Sequence, residues 1–457
     1  MPDNDEKMPR FAKNFKYVID GNGKKIRFND SRLVHIWAFD DMPYFSEMLG
    51  NIFGKRGWKY RCAERITHKS MQDAKKICSG RECLACLGFA RAFYSDLTQK
   101  RGKDEFSMYY YFDQAGPCQN AAWPDMWKVF SRRLGVENAL FQAFPGISNN
   151  FLGQGNLFGY ELSAATILTD LFHEAENTLK CLAKNRDEAI SVFKAETGKV
   201  VEIMKHNLLL IEPALILWAK RVSGIPLRAS VAETPKVLIF GTPEVEVIQY
   251  PVTEYFINHG IIPKTQDLSA FAFRFAGELF FRSAFRRGKI LLRDQIRILP
   301  FIHSFLDPKT KLRKAIMATK AYGAAISVDL QRKRYHWIAK KSGLLLSDKC
   351  RSLINISLKA NEVVSANTIT ETYPAVGEYV LNCDSGKYDG MMHLCTVNCQ
   401  PALNAQAIIR AVAGDKEIPY AAIDMEGPWI SSGQTKILEA MTVQAKRYHS
   451  DTRRNQA

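Results

Sequence analysis

The sequence predicts an α/β protein with two open, mostly parallel, Rossmann-like sheets and helical insertions. Three observations carry this prediction. Short apolar runs of strand length alternate with amphipathic helical runs between residues 33 and 144. A second alternation of the same kind starts at residue 236 and resumes after residue 388. Long helical stretches separate and interrupt the two. With 457 residues, 46% apolar and 24% charged, the chain has a globular composition and room for two or three domains.

Residues 1–30 read as a polar, Gly-containing lead-in. The first α/β domain spans 31–157. Its strands are "LVHIWAF" (33–39), "WKYRCAERI" (58–66), the aromatic "EFSMYYYFDQ" (105–114) and "ALFQAF" (139–144). Helices lie between them: "MPYFSEMLGNIFGKRG" with Gly57 as its stop, "SMQDAKKI", a helix from about Leu84 to Lys100, and "DMWKVFSRRLGV". A helical connecting region covers 158–232. The second α/β domain, 233–457, opens with the strand "KVLIFGTP", a helix and the strand-like "IIPKTQDL". A helical insert follows at about 270–365. Then come the strand "YDGMMHLCTVNC" (388–399), the helix "ALNAQAIIRAVAG", the strand "IPYAAIDM" and a terminal helix.

Lys and Arg number 63 against 47 Asp and Glu, a formal charge of +16. Such a balance suits an acidic protein, a nucleic acid or a polyanionic small molecule as partner. The densest basic runs, 281–297 and 330–341, alternate with apolar residues, as the solvated face of a helix does. That argues against a nucleic-acid patch. The N-terminus lacks the apolar core of a secretory signal. The most apolar run, 207–220, is interrupted by Glu212 and Pro213 and falls short of the roughly 20 residues of a membrane span. A cytoplasmic location is therefore expected, where disulfides do not persist.

Ten cysteines in such a chain point to metal binding, catalysis or burial. Cys78, Cys83 and Cys86 fall between two helices. Cys118 follows the third strand, and Cys395 and Cys399 end the strand that begins near Tyr388. In open α/β sheets ligands bind at the carboxyl ends of strands, so these loops could converge across a cleft. The spacing leaves four readings open. One C-x₂-C pair without a second gives zinc weak support. Cys83 and Cys86 have the spacing of a redox pair at a helix start. An iron–sulfur cluster takes thiolates from scattered loops. Burial as small apolar residues is the commonest fate of a cysteine in such a chain. Cys62 in a strand and Cys181 in a helix read as core, whereas Cys350 and Cys383 are unassigned. No Ser-His-Asp triad, paired carboxylates or G-x-x-x-x-G-K-[ST] loop is recognisable, and "GQGNLFG" (153–159) reads as a loop.

The segments "SGRECLAC" (79–86), "GPC" (116–118) and "YDGMMHLCTVNCQP" (388–401) occur in this order. Together they resemble the cluster-binding signature of the 2-hydroxyacyl-CoA dehydratase and benzoyl-CoA reductase family. The likeness is greatest to the C-terminal half of long CoA-substrate-specific enzyme activases and to double-cubane cluster proteins. It runs from about residue 33 to the C-terminus. The resemblance implies Cys83, Cys118 and Cys399 as ligands of a [4Fe-4S] cluster in the cleft between the sheets. Cys78, Cys86 and Cys395 would complete a double cubane if all six cysteines ligate. Arg81, Glu82 and His393 are expected around the thiolates, Arg81 donating toward cluster sulfur and Glu82 capping the following helix. Asp113 and Gln114 are expected to face substrate, and His68 to lie on the surface. With no nucleotide loop in the chain, the resemblance implies a separate ATP-hydrolysing activator and a homo- or hetero-dimeric assembly. The activity expected is that of an iron–sulfur reductase or electron-transfer component acting on a small molecule or acyl-CoA. A radical 2-hydroxyacyl-CoA dehydratase subunit and a basic zinc or nucleic-acid-binding protein are the alternatives.

Overall fold

The computed structural model describes residues 8–12, 15–37, 43–63, 66–111, 118–144, 151–241, 246–270, 308–346, 352–365, 368 and 370–454. The basic run 281–297, Cys350, Asp113, Gln114 and the Gly116-Pro117 pair lie outside the described residues.

The predicted α/β class holds, with two four-stranded sheets in which every strand pair is parallel. The expected polar lead-in instead carries a small antiparallel sheet, β1 (Arg10–Phe11), β2 (Val18–Ile19) and β3 (Lys25–Ile26). Its apolar residues drive this: Val18 and Ile26 are buried, and Phe28 packs edge-on against Trp58 at 5.2 Å.

The first sheet has the order β5-β4-β6-β7, from β4 (Leu33–Trp37), β5 (Lys59–Cys62), β6 (Phe106–Tyr111) and β7 (Ala139–Ala143). All six residues of β6 are buried, as expected of a central strand covered on both faces. The connecting helices are α1 (Pro43–Gly54), α2 (His68–Ile77), α3 (Leu84–Ser95) and α4 (Trp123–Arg133). The single helix expected over 84–100 changes to a π-helical turn at Asp96–Lys100. Asp96 explains the change of path. It is fully buried, and its carboxylate takes two bonds of 2.7 Å from Arg61 and one of 2.7 Å from the Tyr109 hydroxyl. Arg61 also binds Glu105 at 2.7 and 3.0 Å.

Three helices follow: α5 (Asn156–Leu182), α6 (Arg186–Ile203) and α7 (Ile211–Val222). The second sheet has the order β11-β10-β8-β9, from β8 (Lys236–Phe240), β9 (Ile262–Thr265), β10 (Gly390–Thr396) and β11 (Tyr420–Met425). Counted along the chain, both sheets follow the same order, second-first-third-fourth. Further helices are α8 (Glu246–Asn258), Pro308–Ala339, Leu353–Ala360, Thr372–Asn382, Gln400–Ala413 and Ser432–Arg454. One apolar core runs from Val18 to Ala445 and joins both sheets through α5.

The basic run 330–341 keeps a solvated face, with Lys333, Arg334 and Lys341 exposed, and Arg332 is the exception. Arg332 is buried and binds Asp267 at 2.6 Å, while Leu330 and Trp337 are exposed. The internal charge partner outweighs the usual inside-outside preference.

Asp96→Ala would leave Arg61 and Tyr109 short of a buried partner. A loss of about 3 kcal/mol is expected for breaking such a pair. A lowered urea unfolding midpoint checks this, and an unchanged midpoint would contradict it.

Candidate metal centre

Cys83, Cys118 and Cys399 occupy equivalent local positions. Each is the N-cap residue of a helical segment with extended backbone: Cys83 before α3, Cys118 before the 3₁₀ turn Gln119–Ala122 that leads into α4, and Cys399 before Gln400–Ala413. Ser, Thr, Asp or Asn usually fills this place and caps the helix with a side-chain oxygen. In none of the three does the sulfur act as that cap. A thiolate at a helix N-terminus is favoured by the positive end of the helix dipole.

The topology brings the three loops together. Cys118 and Cys399 both follow the third strand of their sheets, next to the point where strand order reverses. Cys83 lies on the connection from the second to the third strand of the first sheet. Its N–H donates to Gln119 Oε1 at 2.9 Å, beside Cys118. The N–H of Leu84 donates to the Val397 carbonyl at 3.2 Å, two residues before Cys399. A turn at Thr396–Cys399, closed by a 3.0 Å bond, aims Cys399, with Asn398 in the left-handed region (φ 63°). His68 is exposed and packs edge-on against Trp429, just past β11, at 4.5 Å.

Electrostatics tie the thiols to one another. Burial raises the pKa of Cys86, and Cys83, Cys78, Glu82 and Cys118 raise it further. Burial also raises Cys399, with Glu371 and Cys83 adding to the effect. Burial, then Glu82, pushes Cys78 up to about 12. Cys78, Cys83 and Cys118 therefore lie within electrostatic reach of Cys86, and Cys83 within reach of Cys399. Cys83, Cys86 and Cys399 are buried, while Cys78 and Cys118 are half-buried.

Cys395 stands apart from them. It shares a face of β10 with His393, as residues two apart on a strand do. Its sulfur lies 3.7 Å from His393 Nδ1 and 3.9 Å from the Ala402 carbonyl, beneath Gln400–Ala413. Burial raises its pKa, with Asp424 adding to the rise and Arg410 opposing it. His393 stacks on Phe240 (centroids 4.9 Å apart, planes at 7°), and burial pushes its pKa down to about 3. It is thus a neutral neighbour of Cys395. Gly241 makes this packing possible: a Cβ there would sit 2.1 Å from the Leu394 carbonyl oxygen and 2.8 Å from the His393 ring.

Glu82 turns back rather than forward. Its Oε1 accepts from the N–H and hydroxyl of Ser79, both at 2.9 Å, so it closes the 79–82 loop instead of capping α3. Arg81 is exposed, and its backbone N–H donates to Ser79 Oγ at 3.3 Å. Cys181 is core, as expected, with burial pushing its thiol up to about 11. Cys62 ends β5 half-buried, and Cys383 is buried beside Asp384. Gln119 and Glu371 emerge only from the structure. Gln119 adjoins a cysteine motif, a signal that could have drawn attention to it. Glu371 lies far from Cys399 in sequence and gives no such signal.

Comparison with protein-family models and with curated proteins finds no match for the chain. Among the described residues, no three His, Cys, Asp or Glu side chains close on one point as ligands of a single ion do. Thiolates on an iron–sulfur cluster bind different irons and stand further apart. The donor set fits such a cluster, because it is all sulfur and comes from separate loops. It is also largely withdrawn from water, where bare thiolates are disfavoured and a bound metal would hold the thiols deprotonated.

Replacing Cys83, Cys118 or Cys399 by Ser is expected to abolish metal content, while Cys395→Ser and Cys181→Ser retain it. Iron and acid-labile sulfide per chain are the readout. A full complement in any of the first three variants, or its loss in Cys395→Ser, would contradict the arrangement.

Proposed function

We propose that the chain is an iron–sulfur protein that passes low-potential electrons to a small molecule or acyl-CoA, with a separate ATP-hydrolysing activator as their source. One observation carries this reading. The three cysteines singled out by the family resemblance come from loops of two different sheets, and their loops are joined by the Cys83–Gln119 and Leu84–Val397 hydrogen bonds. Motifs separated by up to 316 positions, from Cys83 to Cys399, would not meet in this way if the cysteines were merely scattered core residues.

In this reading Cys83, Cys118 and Cys399 hold the cluster, which when bound supplies the one-electron chemistry. The helix ends behind Cys83 and Cys399 offset part of its negative charge. Cys78 and Cys86 flank it. The separate position of Cys395 favours a single [4Fe-4S] unit over a linked pair that needs six thiols. The half-buried edge at Cys78 and Cys118 is the side for electron entry, and the exposed Lys69, Lys75 and Arg81 nearby suit an acidic partner. Among the described residues, no helix is long and apolar enough to cross a membrane.

Purification without oxygen should give a brown protein with about four irons and four labile sulfides per chain. One zinc per chain without sulfide would overturn the reading in favour of a zinc protein. Reduction of the cluster should require the activator and ATP, and binding of the activator should weaken as salt rises. Turnover with neither partner nor ATP would contradict the activator's role.

A further inference from the structure

The apolar run 207–220 is not consumed by the fold. Leu208–Leu210 forms a 3₁₀ turn that leads into α7. Ile211, Leu215, Trp218 and Ala219 face the core, but Leu209 is 80% exposed, Leu217 57% and Ile216 48%. Leu210 and Pro213 are exposed beside them. The neighbouring helix Pro308–Ala339 extends the patch with Trp337, 57% exposed. Arg334, one turn before Trp337, binds Glu212 at 2.5 Å and ties the two helices side by side. From Leu208 to Ala219 the only charged residue is Glu212. Charges gather at the border instead: Arg221 with Glu196 at 3.0 Å, Lys199 with Glu196 at 2.6 Å, and Lys205 with Glu202 at 2.7 Å. An apolar centre poor in charge with a charged rim is the anatomy of a protein–protein interface.

We infer that this face is a two-fold interface between two copies of the chain, with α7 packed antiparallel against α7. The charge pattern selects a second copy as the occupant. α7 is acidic at its start, at Glu212, and basic at its end, at Lys220 and Arg221. A two-fold axis between Ile216 and Leu217 sets Glu212 of each copy, which also holds Arg334 of its own chain, beside Lys220 of the other, so the complementarity is formed twice. It also places the two helix dipoles antiparallel. The apolar residues of each copy then cover those of the other, as an isologous contact requires.

The test is the mass of the full chain, prepared with its metal, by light scattering after size exclusion at micromolar concentration. The expected mass is twice 51.8 kDa. The double variant Ile216→Glu, Leu217→Glu should run as a monomer with an unchanged circular dichroism spectrum. Glu212→Lys and Lys220→Glu singly should each raise the dissociation constant about tenfold or more, through like charges brought together. The two combined should restore dimerisation, a result that a loss of folding would not give. Charge exchange at these surface positions decides the matter if the double glutamate variant fails to fold. A monomeric wild-type chain would overturn the inference and leave the face to a different protein. A dimer indifferent to Ile216→Glu, Leu217→Glu, or a combined charge exchange no better than its single members, would overturn it as well.

Discussion

The two sheets are held in one relative orientation by carboxylates on a single helix, α5. Glu161 binds Lys55 and Arg56, just past α1. Glu176 accepts from the Tyr44 hydroxyl at the start of α1 at 2.7 Å. Asp170 accepts from the N–H groups of Leu268 (2.6 Å) and Ser269 (3.0 Å), at the start of a helix. Glu174 binds Lys264 of β9 at 2.9 Å and the N–H of Leu346 at 2.7 Å. The first two belong to the first sheet's side and the last two to the second's. Apolar burial along α5 supplies cohesion without direction. These charged contacts supply direction, because a buried carboxylate that lost its partner would be heavily penalised. Burial and then Asp267 push the Asp170 carboxyl up to about 7, with Lys264 opposing.

That fixed orientation gives the shared strand order its consequence. A sheet of order second-first-third-fourth opens a crevice at the carboxyl ends of its first and third strands. Two such sheets joined through α5 present their third-strand exits to each other, and each exit carries a cysteine at a helix start. The close approach of β8 to β10 belongs to the same design. Gly241 ends β8 with φ 129°, and no larger residue would clear the Leu394 carbonyl. The Thr396–Cys399 turn then starts from a strand whose position is set on both sides, by β8 and β11.

The strands were legible in the sequence because a buried parallel strand is a short apolar run between turn residues, and β4, β6, β8 and β10 all have that form. Their ends were less so. The expected 388–399 shortens to Gly390–Thr396, while residues 112–114 of the expected strand 105–114 lie outside the described residues. The π-helical turn at Asp96 left no periodic signal, since a tertiary partner, Arg61, produces it. Cys83, Cys118 and Cys399 were legible through motifs. Cys395 was grouped with them because it and Cys399 were both read as ending one strand; residue 395 lies within that strand and residue 399 after it. The burial of Arg332 was hidden because Asp267, the partner that draws it inward, lies 65 positions away.

The position of the thiols would couple the proposed metal to the fold. The Leu84–Val397 bond and the thiols of Cys83 and Cys399 bridge the two sheets at the place where their loops meet. Without metal, burial keeps Cys86 and Cys399 protonated, and the bridge there consists of backbone hydrogen bonds and apolar contact. Were the proposed cluster bound, the same thiols would serve as its ligands and lose their protons, and part of the binding free energy would go to holding the two loops together. The carboxylate contacts of α5 with Lys55, Arg56, Tyr44 and Lys264 involve none of these thiols.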